Sequence, residues 1–211
     1  TKLAKNAPIT DIDWRNRMRV GYLPTFNKPR LCTFFASTES EYAGVGDSIP
    51  SDNFSNQVEA FQAIVDFLPA HEWQIVLRRH PKNPQSESTD PEAFLWDQFR
   101  GFNHVLIVEP ESPIDSIALG LNSDLVTNFC SIIAMELIAR GSKNVYTLGP
   151  SPWRKLLPAL QVENSKRLKE ILEDNVTMAN PDSILPWCYY VASHGNEFQI
   201  TYFDVVAQRW R

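Results

Sequence analysis

Arg78, Arg79 and His80 are consecutive, precede Pro81, and follow an apolar run that begins at Trp73. Up to three positive groups at the end of a strand suit a phosphate. Arginine offers a planar fork of donors, and histidine donates from a ring nitrogen. Side chains alternate along a strand, so Arg78 and His80 share one side and Arg79 takes the other. Pro81 stiffens the backbone that presents His80. The same residues would also make a solvated basic turn with His80 on a backbone carbonyl. Ser131 precedes the apolar stretch Ile132–Ala139, where its hydroxyl can cap free backbone N–H groups. A helix start is also an anion site, since several N–H groups point outward at the positive end of the dipole. Glu136 is the one acid inside that stretch. It either accepts from two ribose hydroxyls or pairs with Arg140 one turn on. Ser37 and Thr38 follow another apolar run. They either hydrogen-bond a phosphate or an acceptor sugar, or simply form a turn.

The elements that must hold these residues are legible as alternating strands and helices. Buried strands are expected at 31–36, 73–77, 105–108, 125–127 and 145–148. Helices are expected from an Asp52 or Asn53 cap to about Leu68, then at 92–99, 114–121, 132–139, 164–173 and 184–192, with an extended tail at 198–203. Asp115 near one helix start complements its dipole, and Gly141 suits the left-handed residue that ends another. Five strands alternating with helices predict an α/β fold, a Rossmann-like doubly wound, mainly parallel sheet. In such sheets ligands bind beyond the carboxyl ends of the strands. The polar clusters at Ser37–Glu41, Arg78–Pro81, Glu109–Pro113 and Asn128–Ser131 all fall at those ends.

Composition excludes several other classes. A hydrophobic content of 43% is incompatible with a disordered chain, and 211 residues suffice for one domain with a good core. A net charge of −5 argues against a broad nucleic-acid surface. No apolar run reaches the roughly 20 residues of a membrane span, and no signal-peptide pattern opens the chain. Cys32, Cys130 and Cys188 form no CxxC pair, which fits buried thiols in a reducing cytosol. His71, His104 and His194 are isolated, so no metal and no other cofactor is expected. GxGxxG, GxxxxGK[ST] and GxSxG are all missing.

FFASTESEYAGVGD, LRRHPKNP, VEPESPIDSIALGLNSDLVTNFCSIIAMELIARGSKNVYTLG and ILPWCYYVASHGNEF, taken in order, resemble the carboxy-terminal half of GT-B glycosyltransferases. The resemblance spans Leu31 to Phe203. It is similar in particular to bacterial surface-polysaccharide enzymes of capsule and lipopolysaccharide O-antigen assembly, in the Kdo-transferase and sialyltransferase-like branch. That resemblance implies a CMP-linked donor, with His80 and Pro81 as the HP motif and Ser131 as the serine motif, both facing phosphate. It implies Glu136 as the ribose-binding glutamate. The pattern often carries a second acid eight positions earlier, and this sequence has Asn128 there. The donor-nucleotide residues are therefore expected to be Ser37, Thr38, Arg78, His80, Pro81, Ser131 and Glu136, with no catalytic residue assigned. Residues 1–30 read as a linker or the tail of a preceding region, and 31–211 as a nucleotide-sugar-binding domain. The expected partners are a nucleotide-sugar donor, a glycan or glycolipid acceptor, and an amino-terminal acceptor domain or partner chain. The expected location is the cytoplasm, including the inner face of the membrane. Two other readings stand beside this one: a polyol-phosphate (CDP-glycerol-type) transferase domain, and a non-catalytic module that binds polysaccharide or a partner.

Overall fold

A computed structural model describes residues 18–38, 54–81, 94–174, 181–193, 203–204 and 209–210. Its centre is a five-stranded parallel sheet of β1 (Arg30–Phe35), β2 (Trp73–Arg78), β3 (Val105–Val108), β4 (Leu125–Asn128) and β5 (Val145–Thr147), in the order β3-β2-β1-β4-β5. Both faces of the sheet are covered, so β2 and β4 are buried throughout, and their polar residues Gln74, Arg78, Thr127 and Asn128 are hydrogen-bonded. The helices are α1 (Gln57–Phe67), α2 (Ser116–Leu121), α3 (Ile133–Ala139), α4 (Ser165–Asp174) and α5 (Leu185–Ser193). The expected α/β doubly wound architecture is observed.

Alternation along β1 distributes the core. Cys32 and Phe34 pack with Val58, Phe61 and Ile64 of α1, Leu168 and Ile171 of α4, and Trp96 and Phe99. Phe61 and Phe99 meet edge to face at 4.8 Å, a geometry that favours the ring quadrupoles. On the other face, Leu31 joins Val76, Ile114 and Leu119, while Phe35 joins Ala134, Leu137 and Ile138 of α3 and Trp187 of α5. Burial pushes the Cys32 thiol up to about 12, so it is an inert apolar filler.

Several boundaries differ from expectation. The helix expected at 92–99 is a 3₁₀ segment, Leu95–Gly101, whose turn places both Trp96 and Phe99 in the core. Asn56 caps α1, accepting from the Glu59 N–H at 2.8 Å, while Asp52 and Asn53 lie outside the described residues. Asp115 does more than complement a dipole. Its Oδ1 accepts from the N–H groups of Ile117 (2.9 Å) and Ala118 (3.1 Å), capping α2. Gly141 ends α3 at φ +95°, the region that disfavours side chains. Phe203–Asp204 pairs antiparallel with Arg209–Trp210 in a separate ribbon, and residues 198–202 lie outside the described set. The expected linker is docked where it is described. The Arg19 N–H donates to the Pro113 carbonyl (2.8 Å), and Leu23 and Phe26 pack against the β2–β3 side of the core. No described helix is long and apolar enough to cross a membrane.

Candidate functional site

The order β3-β2-β1-β4-β5 reverses direction between β1 and β4. At such a switch point the loops after the two strands diverge to opposite faces and leave a crevice. Register places Val108, Arg78, Phe35, Asn128 and Thr147 in one row across the sheet. The loops after β1, β2, β3 and β4 therefore leave the sheet at one level, and the expected site residues on them share one edge.

Ser37 and Thr38 leave β1 at the switch point, and Ser131 leaves β4 on its other side. Ser37 is 2% exposed and works as a staple. Its hydroxyl accepts from the Cys130 N–H at 3.0 Å, joining the two sides of the crevice. Its N–H donates to Gln57 Oε1 (3.0 Å), and its carbonyl accepts from Gln57 Nε2 (3.2 Å). Thr38 is half-buried at the mouth.

Ser131 is not the helix cap. Ile132 is the N-cap residue of α3 and makes no side-chain capping bond. The reason lies three residues back: Asn128 Oδ1 accepts from the Ser131 N–H at 3.0 Å and closes a tight turn before the helix begins. Asn128 is fully buried, and its Nδ2 donates to the Tyr146 carbonyl (3.0 Å) and Thr147 Oγ1 (3.2 Å). The amide thus ties β4 to β5 and shapes the loop, which explains why an acid does not stand there. Two N–H donors toward two oxygens are what a carboxylate lacks. Glu136, half-buried, lies in the first turn of α3, where a negative charge complements the dipole.

At the end of β2, Arg78 and the following Arg79 are buried, at 2% and 7% exposed, and His80 and Pro81 beyond them are half-buried. The Arg78 Nε donates to Ser116 Oγ at 3.1 Å and its Nη1 to the Glu109 carbonyl. Burial lowers Arg78 to about 10, against the pull of Glu111 and Glu109, so it remains a cation at neutral pH. Arg79 pairs with Glu109 Oε2 at 2.8 Å, and Glu109 Oε1 accepts from Arg100. The basic cluster is therefore largely engaged with the loop after β3, and His80 is its most outward ring.

The sequence reading missed Gln57, Asn128 as a loop-former, and Ser116. Only Asn128 carried a signal, as an amide at a strand end before a tight turn.

No protein-family model matches the chain, and no curated protein matches its sequence. Solved structures do match in fold. The putative UDP-N-acetylglucosamine 2-epimerase of Listeria monocytogenes is 14% identical with a TM-score of 0.50, covering 89% of this chain and 51% of that one. The UDP-GlcNAc 2-epimerase of Methanocaldococcus jannaschii, solved with UDP-GlcNAc and UDP, is 16% identical with a TM-score of 0.47, covering 78% and 46%. The chain thus spans about half the length of these proteins. The fold is a GT-B-like, Rossmann-like α/β domain.

Proposed function

We propose that this domain binds the nucleotide of an activated sugar along the row of strand ends and serves glycosyl transfer. The observation that carries the proposal is the switch point between β1 and β4, where Ser37, Thr38 and Ser131 converge beside the strand end that bears His80. The phosphate sits at the crevice, between His80 and the Ser131 turn. Glu136 accepts from the ribose hydroxyls. The backbone after β3, Glu109–Pro113, reads the base edge. Gly120 of α2 packs so closely on Leu137 of α3 that a Cβ there would come within 2.5 Å. The two helices that follow the β3 and β4 loops therefore lie side by side, and one nucleotide can reach from one loop to the other.

In transfer, the nucleotide leaves with growing negative charge on its phosphate. Donors already in place at that oxygen stabilise the transition state more than the ground state. His80 and Ser131 have the chemistry for this, and Pro81 restrains the backbone that carries His80. The acceptor and the catalytic base belong, on this reading, to an amino-terminal domain or partner chain. A CMP-linked sugar of the Kdo kind, passed to a bacterial surface polysaccharide or lipopolysaccharide, is the first-choice donor.

Calorimetry with the four nucleotides CMP, CDP, UDP and GDP, and with CDP-glycerol beside them, tests the reading. CMP should bind, and more weakly as salt rises, since part of the attraction is ionic. Preference for CDP-glycerol would move the assignment to polyol-phosphate transfer, and preference for UDP would reverse the base. Binding of none of the four would defeat the proposal in favour of a non-catalytic module. His80→Ala should weaken CMP about tenfold or more while sparing cytidine, which has no phosphate. Glu136→Gln should weaken both.

A further inference from the structure

Arg78 is among the largest fully enclosed side chains of the described structure. Strand alternation turns it to the same face as Val76, beneath the loop that joins β3 to α2. Its two hydrogen bonds reach opposite ends of that loop: Glu109 is the first residue after β3, and Ser116 the first of α2. The carboxylate of Glu109 is gripped by Arg79 and Arg100, and Arg100 is braced by Asp97 at 2.7 Å. From outside, the Arg19 N–H donates to the Pro113 carbonyl, the Asp115 N–H to the Tyr22 carbonyl (3.0 Å), and the Gly21 N–H to Asp115 Oδ2 (2.9 Å). Connecting loops are ordinarily the mobile parts of a fold. Here one loop is fastened by a buried cation, by an ion-pair cluster and by a separate segment of chain. Such support is what a recognition surface needs to hold its geometry.

We infer that Arg78 is a positioning residue that holds the loop after β3 as the wall against which the base is read, and not a ligand of the phosphate. The inference rests on the nucleotide-binding reading above. A phosphate ligand should present its fork to the crevice. Arg78 is 2% exposed, with Nε and Nη1 spent on the loop, and its Nη2 is enclosed without an acceptor among the described residues. Lysine in its place would keep the charge and lose the planar fork, so charge and geometry can be separated.

The test compares CMP, cytidine and ribose 5-phosphate on wild type, Arg78→Lys and Ser116→Ala, by calorimetry or competition. Arg78→Lys should weaken CMP and cytidine alike, by about tenfold, and leave ribose 5-phosphate within about twofold. Ser116→Ala removes one anchor without touching charge and should show the same pattern, about threefold. Loss of CMP and ribose 5-phosphate with cytidine spared would make Arg78 a phosphate ligand and overturn the inference. So would wild-type affinities for CMP and ribose 5-phosphate that are equal, since no base contact would then exist to position. Wild-type protein that binds none of the three overturns the nucleotide reading itself. If Arg78→Lys does not fold, Ser116→Ala decides: unchanged cytidine affinity in that variant refutes the inference.

Discussion

Asn128→Asp puts back the acid that the resemblance leads one to expect eight positions before Glu136, and the structure says it will be costly. The side chain is fully buried, its Nδ2 faces the Tyr146 carbonyl at 3.0 Å and Thr147 Oγ1 at 3.2 Å, and its Oδ1 holds the Ser131 N–H. An ionised carboxylate would press an oxygen against that carbonyl, so the buried acid stays protonated. Keeping it neutral at pH 7, against an ordinary value near 3.9, costs about 4 kcal/mol, at about 1.36 kcal/mol per unit. A lone carboxyl proton replaces two N–H donors, so one hydrogen bond is also lost, worth about 1 kcal/mol. The total is about 5 kcal/mol at pH 7 and about 2.5 kcal/mol at pH 5. The sign follows from the unfolded chain, which releases its proton above about pH 3.9 while the folded one does not, so stability falls as pH rises. Urea titrations at pH 5 and 7, with melting curves alongside, measure this, and at pH 7 the midpoint should drop by roughly 10–20 °C. Asn128→Ala is the control. It loses three bonds, about 2–3 kcal/mol, with no dependence on pH. An Asn128→Asp domain as stable as wild type at pH 7, or equally weakened at both pH values, would refute the buried amide bridge.

Two other outcomes follow from the packing. Gly149→Ala should destabilise more than Gly120→Ala, each measured by urea titration. The new Cβ at 149 would sit 2.4 Å from the Phe129 carbonyl oxygen, which is backbone, whereas at 120 it meets the movable end of Leu137 at 2.5 Å. Overpacking of this kind costs about 1–3 kcal/mol, with Gly149→Ala at the upper end. Burial, with Lys28 adding to it, holds the His104 imidazole below its ordinary value of 6.5. The unfolded chain takes up that proton first, so stability should decline as pH falls below about 6.5. His104→Phe should flatten that limb of the pH–stability curve, and an unchanged limb would show that His104 does not cause it.

The sheet was readable because its strands carry short apolar stretches, Ile75–Leu77 in β2 and Leu125–Val126 in β4, set between helical patterns. The edge on which the candidate residues lie followed from that alone. What each polar residue does there was not readable, because its partners are remote. Ser37 looks like a ligand contact until Gln57 and Cys130, 20 and 93 positions away, take up its groups. Ser131 looks like a cap until Asn128 takes its N–H. Arg78 looks like a phosphate fork until Ser116, 38 positions on, and the Glu109 carbonyl occupy it. The 3₁₀ turn at Leu95–Gly101 has the apolar spacing of a short helix, and its Trp96 and Phe99 pack against Phe61 of α1, a contact remote in sequence.

The central place of β1 also bears on how the chain folds. Its neighbour β4 comes more than 90 positions later, and the bonds that join them span as far: Leu31 N–H to Asp124, Thr127 to the Thr33 carbonyl, Cys130 N–H to Ser37. Closing such distant contacts is slow, because loop-closure entropy is lost before any pairing compensates for it. During synthesis β1, β2 and β3 are complete while the flank of β1 that will meet β4 is still bare, with its row of unpaired N–H and C=O groups open to other chains. The crevice exists only once β4 docks, and β5 then adds to its far side. A slow or stalled ribosome between β3 and β4 should therefore yield aggregates with the β1 edge exposed.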